Sequence, residues 1–88
     1  MPTLSMFYGI IVRMFKEKDG KHNLPHIHAV YSGQKVVVSL DGKIIEGSLP
    51  ASKMKLLLAW MEIHADELQA NWQLLTEEDT FFKIEPLK

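Results

Sequence analysis

The chain has 88 residues, 47% of them hydrophobic and 24% charged, with a formal net charge of −1. This composition belongs to one folded domain and excludes a disordered segment. There is no cysteine, which excludes a disulfide scaffold, a thiolate zinc site and a cysteine nucleophile, and with no basic, apolar leader and no long apolar run a cytoplasmic, non-spanning protein is expected.

Residues 1–5 read as a lead-in. Residues 6–15 predict a strand, with Met6, Tyr8, Ile10, Val12 and Met14 on one face and Phe7, Gly9, Ile11, Arg13 and Phe15 on the other. A strand apolar on both faces is central or covered on both sides. Gly9 inside it marks a bulge or a close backbone approach, and Arg13 needs an ion-pair partner, an exit to water or a ligand. Residues 16–24 (KEKDGKHNL) are charged and turn-rich, with Asp19-Gly20 at the tip. Pro25 fixes its own φ and biases Leu24 towards extended backbone, so a strand over residues 26–31 follows. Residues 32–34 reverse the chain and residues 35–40 form the next strand. Asp41-Gly42 is the clearest hairpin signal, because both residues tolerate the positive φ of a two-residue turn. Residues 43–47 close that hairpin.

Pro50 suits a first helical position. Met54, Leu57, Leu58, Met61, Ala65, Leu68, Trp72 and Leu75 then recur at helical spacing, predicting one long helix over residues 50–75, with residues 64–66 as the point where it would break. Leu56, Trp60 and Ile63 add a second apolar flank, which calls for a second covering layer or a dimer interface. A domain this short buries only about 60% of its unfolded surface, so a dimer would add stability. Glu77, Glu78 and Asp79 oppose the helix macrodipole and predict fraying. Residues 80–85 (TFFKIE) read as a short final strand or an arm docked on the sheet or on a neighbour. The expected fold is a single α+β domain over residues 1–88: an antiparallel four- to five-strand sheet (meander) packed on one long C-terminal helix.

The stretch HNLPHIHAVY, residues 22–31, holds three of the four histidines. In a strand, His26 and His28 share one face, and Ile27, Ala29 and Tyr31 the other. Two such imidazoles suit metal binding, an acid–base pair or anion recognition, and equally suit half-exposed histidines with no chemistry. Charge is uneven along the chain. Residues 1–43 carry six basic groups (Arg13, Lys16, Lys18, Lys21, Lys35, Lys43) against three acidic (Glu17, Asp19, Asp41), a local +3; residues 44–88 carry four against eight, a local −4; the sum is −1. The pair therefore lies in the basic half, which points to an anionic partner.

With RNA as that partner, one imidazole takes the 2′-hydroxyl proton and the other protonates the leaving oxygen. Arg13, Lys21 or Lys35 would hold the phosphate, and Tyr8 or Tyr31 would stack a base or donate a proton. An overall pI of about 6.4 opposes an RNA partner, and the local charge answers this in part. A metal chelate would need His22 or His64 as a third ligand, and no His-x-x-x-His or cysteine pattern supports it. His64 reads first as a packed, hydrogen-bonded residue at the core edge, and Trp60 and Trp72 as core or interface anchors. A glycine-rich phosphate loop, a Ser-His-Asp arrangement and a paired-carboxylate site are absent.

Residues 5–10 (SMFYGI), the Pro25-His26-Ile27-His28 core, residues 46–50 (EGSLP), residues 60–68 (WMEIHADEL) ending at Asn71-Trp72, and residues 83–87 (KIEPL) span almost the whole chain in order. Together they resemble the bacterial domain of unknown function numbered 4160. That family carries a double proline before its first histidine; here Leu24 stands in place of the first, and both histidines are kept. The resemblance implies no established activity. It implies a small bacterial protein encoded beside another small protein, of family 2442, in an arrangement of the toxin–antitoxin kind.

The expectation is thus a toxin–antitoxin component with His26 and His28 as catalytic residues and Tyr8, Arg13 and Lys35 holding RNA or another anion. No cofactor and no metal ligands are assigned. The partners expected are a cognate small antitoxin-like protein, RNA, or a second copy of the chain in a homodimer. The alternatives are a non-catalytic module that binds a partner or a second copy through its helix flank and Phe81-Phe82 arm, and a histidine-based metal-binding protein. Whether the protein is an enzyme stays open.

Overall fold

The computed structural model describes residues 3–15 and 24–88; the expected loop tip at Asp19-Gly20, with Lys21 and His22, lies outside the described residues. Strands β1 (Thr3–Phe7), β2 (Ile10–Arg13), β3 (His26–Tyr31), β4 (Gln34–Ser39) and β5 (Ile44–Gly47) form one antiparallel sheet in chain order. Helices α1 (Ala51–Ile63) and α2 (Ala65–Glu78) follow. The fold is α+β with a five-strand meander, and it departs from expectation at two places.

The first is the N-terminal strand. Residues 6–15 are two strands, and residues 3–5 belong to the first of them. Tyr8 (φ 49°) and Gly9 (φ 81°) both take positive φ, the geometry of a two-residue turn whose twist matches that of paired strands. The turn also reverses which face each residue occupies. Phe7 opposes Ile10 and Met6 opposes Ile11, so buried Phe7 joins Ile10, Val12 and Met14, while Met6 is 63% exposed. The Asp41-Gly42 hairpin stands where expected but is wider than a two-residue turn. Ser39 N–H donates to Lys43 O at 2.8 Å and Gly42 N–H to Ser39 O at 2.9 Å. Beyond that loop, β5 slips register between Val37 and Val38, as a bulge does.

Residues directly opposed across an antiparallel pair share a face. Val12, Ala29 and Val36 are opposed in this way, as are Ile27 and Val38. They form the inner face, covered by Leu57, Trp60, Met61, Leu68 and Leu75 from the helices. Burying a leucine of this kind contributes about 1.5–3 kcal/mol. The Phe7 and Trp60 rings meet at 5.2 Å. Lys53 fixes the start of α1 to the strand turns: its Nζ donates to Tyr8 O at 3.2 Å and lies 4.9 Å over the Tyr31 ring.

The second departure is the helix, which is not one rod but two segments meeting at His64 (φ −108°, ψ 27°). Neither proline nor glycine causes the break. Backbone bonding runs into and out of it, His64 N–H to Trp60 O and Leu68 N–H to His64 O, each 3.0 Å. The imidazole turns to the Glu67 carboxylate, and Asp66 and Glu67 sit in the first turn of α2, where carboxylates complement the macrodipole. His64 thus starts a new helix while ending the old one. Helix α2 runs on to Glu78 and stops at Asp79, in the left-handed region at φ 55°.

Residues 80–88 form an extended arm that docks on the chain itself. Ile84 N–H donates to Leu4 O at 2.8 Å. Buried Asn71 accepts from Phe82 N–H at 2.8 Å and donates to Phe82 O at 3.0 Å. Trp60 Nε1 donates to Glu85 O at 2.8 Å. The arm is therefore a covering layer for part of the second apolar flank: Trp60 is fully buried, whereas Ile63 stays 66% exposed. Among the described residues no helix is long and apolar enough to cross a membrane.

Candidate functional site

The sheet face opposite Val12, Ala29 and Val36, here called the outer face, gathers the side chains of interest by register. Arg13 lies opposite His28, and Lys35 opposite Val30 one strand further on. Arg13, Phe15, His28, Ala29, Val30 and Lys35 line a cavity of about 120 Å³. Two of these residues are cationic and none is a carboxylate. The Phe15 ring stacks on the His28 ring, 4.2 Å between centroids and 22° between planes. Arg13 Nε is buried and has no hydrogen-bond partner among the described residues. An N–H of this kind, next to the guanidinium fork, suits a two-pronged grip on a phosphate or carboxylate.

His26 stands behind this group. Pro25 delivers it to the first position of β3, where it is fully buried. Its Nδ1 lies 2.6 Å from Leu24 O. A carbonyl only accepts, so Nδ1 carries the proton and, in the neutral ring, Nε2 carries the lone pair. The His26 ring lies 5.1 Å from that of His28 and 5.3 Å from that of Trp72. Phe15, His28, His26 and Trp72 make a row of rings from the cavity to α2. Contact with a dissolved ligand falls to half-buried His28, with His26 one ring further in.

Residues 9–73 match the family described as Domain of unknown function (DUF4160). The chain belongs to this family. No curated protein and no solved structure matches it. The DUF4160 span holds Arg13, Phe15, His26, His28, Lys35 and Trp72; strand β1, Tyr8 and the C-terminal arm fall outside it.

Within this DUF4160 domain, Arg13, His28 and Lys35 come together and His26 adjoins them. Tyr8 does not. It sits half-exposed in the β1–β2 turn, beside the Tyr31 end of β3, while the histidines start that strand, roughly 16 Å away at about 3.3 Å per residue. His64 packs 5.6 Å from Trp60 and bonds Glu67. Among the described residues no three His, Cys, Asp or Glu side chains are placed to hold a metal. Sequence reasoning missed Phe15 and Trp72 as members of this group. Phe15 had a signal, since it lies two residues beyond Arg13 and shares its face. Trp72 had none, because only the packing of α2 brings it to the start of β3.

Proposed function

We propose that this protein is one component of a toxin–antitoxin-like pair and that its outer sheet face, around Arg13, His28 and Lys35, is where it meets RNA or another anion. The observation that carries the anion-facing surface is the cavity that joins Arg13 and Lys35 beside the Phe15–His28 stack, with no carboxylate among the described residues of its lining. The pairing with a small partner protein rests on the family resemblance alone. In this scheme His28 touches the ligand, and the buried His26 ring, edge-on against it, fixes its position.

The test is fluorescence anisotropy with a labelled RNA across a salt series. Binding should weaken as salt rises, with a slope set by the number of phosphates held, and Arg13→Ala with Lys35→Ala should flatten that slope. Salt-independent binding, or none, would sink the anion-facing surface. Expression of His26→Ala and His28→Ala variants tests the catalytic role: growth inhibition unchanged in both removes it.

One observation favours a second function, as a module that binds a partner or a second copy. Ile63 stays 66% exposed, Phe81 39% and Phe82 37% after the arm has docked. Light scattering on the pure protein separates this from the first: a strict monomer that captures no partner counts against it.

A further inference from the structure

We propose that the Arg13–Phe15–Lys35 cavity takes the phosphate of an unpaired nucleotide whose base stacks on Phe15, so that the RNA bound is single-stranded. This deepens the proposed function and rests on its anion-facing surface.

Size comes first. Pockets for whole small molecules run about 300–1,000 Å³, and a cavity of about 120 Å³ holds a single group instead. A phosphate is such a group, and the lining chooses it: a guanidinium whose buried Nε has no partner among the described residues, a lysine across the strands, and no carboxylate among the described residues. A guanidinium grips two phosphate oxygens at once, and Lys35 adds a point charge.

The base follows from Phe15. Its ring is held flat by the His28 ring beneath it, which makes a fixed aromatic plane at the edge of a phosphate-sized cavity. Every unpaired base has a π-face for such a plane, and stacking there is tolerant of sequence. Bases inside a duplex are already stacked and paired, and an A-form duplex offers a protein mainly its backbone and minor groove. A cavity that couples one phosphate to one half-buried ring in its lining therefore prefers a single strand. The net charge of −1 adds weight, because a chain without excess positive charge gains little from general attraction to duplex phosphates.

The experiment titrates the whole 88-residue protein with inorganic phosphate, uridine monophosphate, a single-stranded RNA and the same RNA as a duplex, followed by amide NMR shifts. Phosphate should shift resonances of Arg13 and Lys35. The nucleotide should bind at least about fivefold more tightly than phosphate, and the single strand more tightly than the duplex. Phe15→Leu should abolish the nucleotide's advantage and keep phosphate binding, whereas Phe15→Tyr, which retains the ring, should keep both; dispersed amide spectra show that each variant is folded. A duplex bound as tightly as the single strand, or a nucleotide advantage that survives Phe15→Leu, overturns the single-strand inference and leaves the anion-facing surface standing. Failure of every anion to bind overturns both.

Discussion

The imidazole of His26 rests against the indole of Trp72, ring centroids 5.3 Å apart and tilted by 55°, so a fully buried histidine joins the start of β3 to helix α2. Its Nδ1 proton is spent on Leu24 O. Replacing it with alanine opens a cavity beside Trp72 and strands the Leu24 carbonyl. The expected cost of His26→Ala is about 3 kcal/mol, a fall in Tm on the order of 15 °C for a domain of this size. Thermal unfolding by circular dichroism measures it. A fall of only a degree or two would show that α2 does not depend on this contact.

Asn71 is a buried polar side chain on α2, and it brackets the backbone of Phe82 with two hydrogen bonds. Asn71→Ala leaves Phe82 N–H and C=O without these partners, at a cost of about 2 kcal/mol. The arm should loosen before the domain unfolds. Hydrogen exchange should therefore speed at Phe82 and Ile84 far more than at the β3 amides. Uniform acceleration would mean that the arm and the domain unfold together.

Gly9 and Gly47 have nearly the same backbone, φ 81° and 77°, and very different surroundings. A Cβ on Gly9 would meet the Tyr31 ring edge at 3.1 Å; on Gly47 it would meet Lys35 O at 2.2 Å. Both alanine variants carry a left-handed cost of about 1–2 kcal/mol. Only Gly47→Ala must also push β5 off β4, since backbone cannot swing aside as a ring can. Urea unfolding should rank Gly47→Ala clearly below Gly9→Ala in stability. Equal losses would mean that backbone conformation alone sets the cost.

The Ser39 hydroxyl donates to the Asp41 carboxylate, and this bond, with smaller help from Lys43 and against some desolvation, holds the Asp41 carboxyl below its ordinary value. A carboxyl depressed on folding contributes stability above its ordinary pKa and loses it as pH falls through the depressed one. Asp41→Asn should therefore lower Tm at neutral pH, with the gap from the parent closing below about pH 4. A gap of constant size across that range would show that the hairpin does not use the charge.

Where side-chain period and turn chemistry agreed, the sequence was readable. Alternation placed Ile10, Val12, Met14, Ile27 and Ala29 on the inner face, and the Asp41-Gly42 hairpin fell where those residues stand. The turn at Tyr8-Gly9 was illegible because a tyrosine seldom takes positive φ, so a continuous apolar alternation hid two strands. The break falls at His64, within the residues 64–66 named as its place, but without a proline or glycine the sequence could not decide between one rod and two segments. At the site, strand parity was enough to put His26 beside His28, whereas the pairing of Arg13 with His28 is set by the register of β2 on β3, which parity within one strand does not fix. The burial of His26 was not legible, since it depends on where α2 lays Trp72.

Tyr8 gives the sharpest separation between turn and site. It holds φ 49° in a two-residue turn, where Gly is favoured for lacking a Cβ and Asn because its short polar side chain tolerates that region. Its structural tie to α1 is the backbone carbonyl that accepts from Lys53, which any residue supplies. Its ring is exposed and stands at the end of β3 away from the histidines. Tyr8→Asn should therefore stabilise the domain by about 0.5–1 kcal/mol and leave unchanged the RNA binding proposed for the Arg13–Lys35 cavity. Chemical unfolding and anisotropy on one preparation read both effects. A variant that is less stable would show the tyrosine ring packing productively on the turn; one that binds RNA several-fold more weakly would return Tyr8 to the ligand surface.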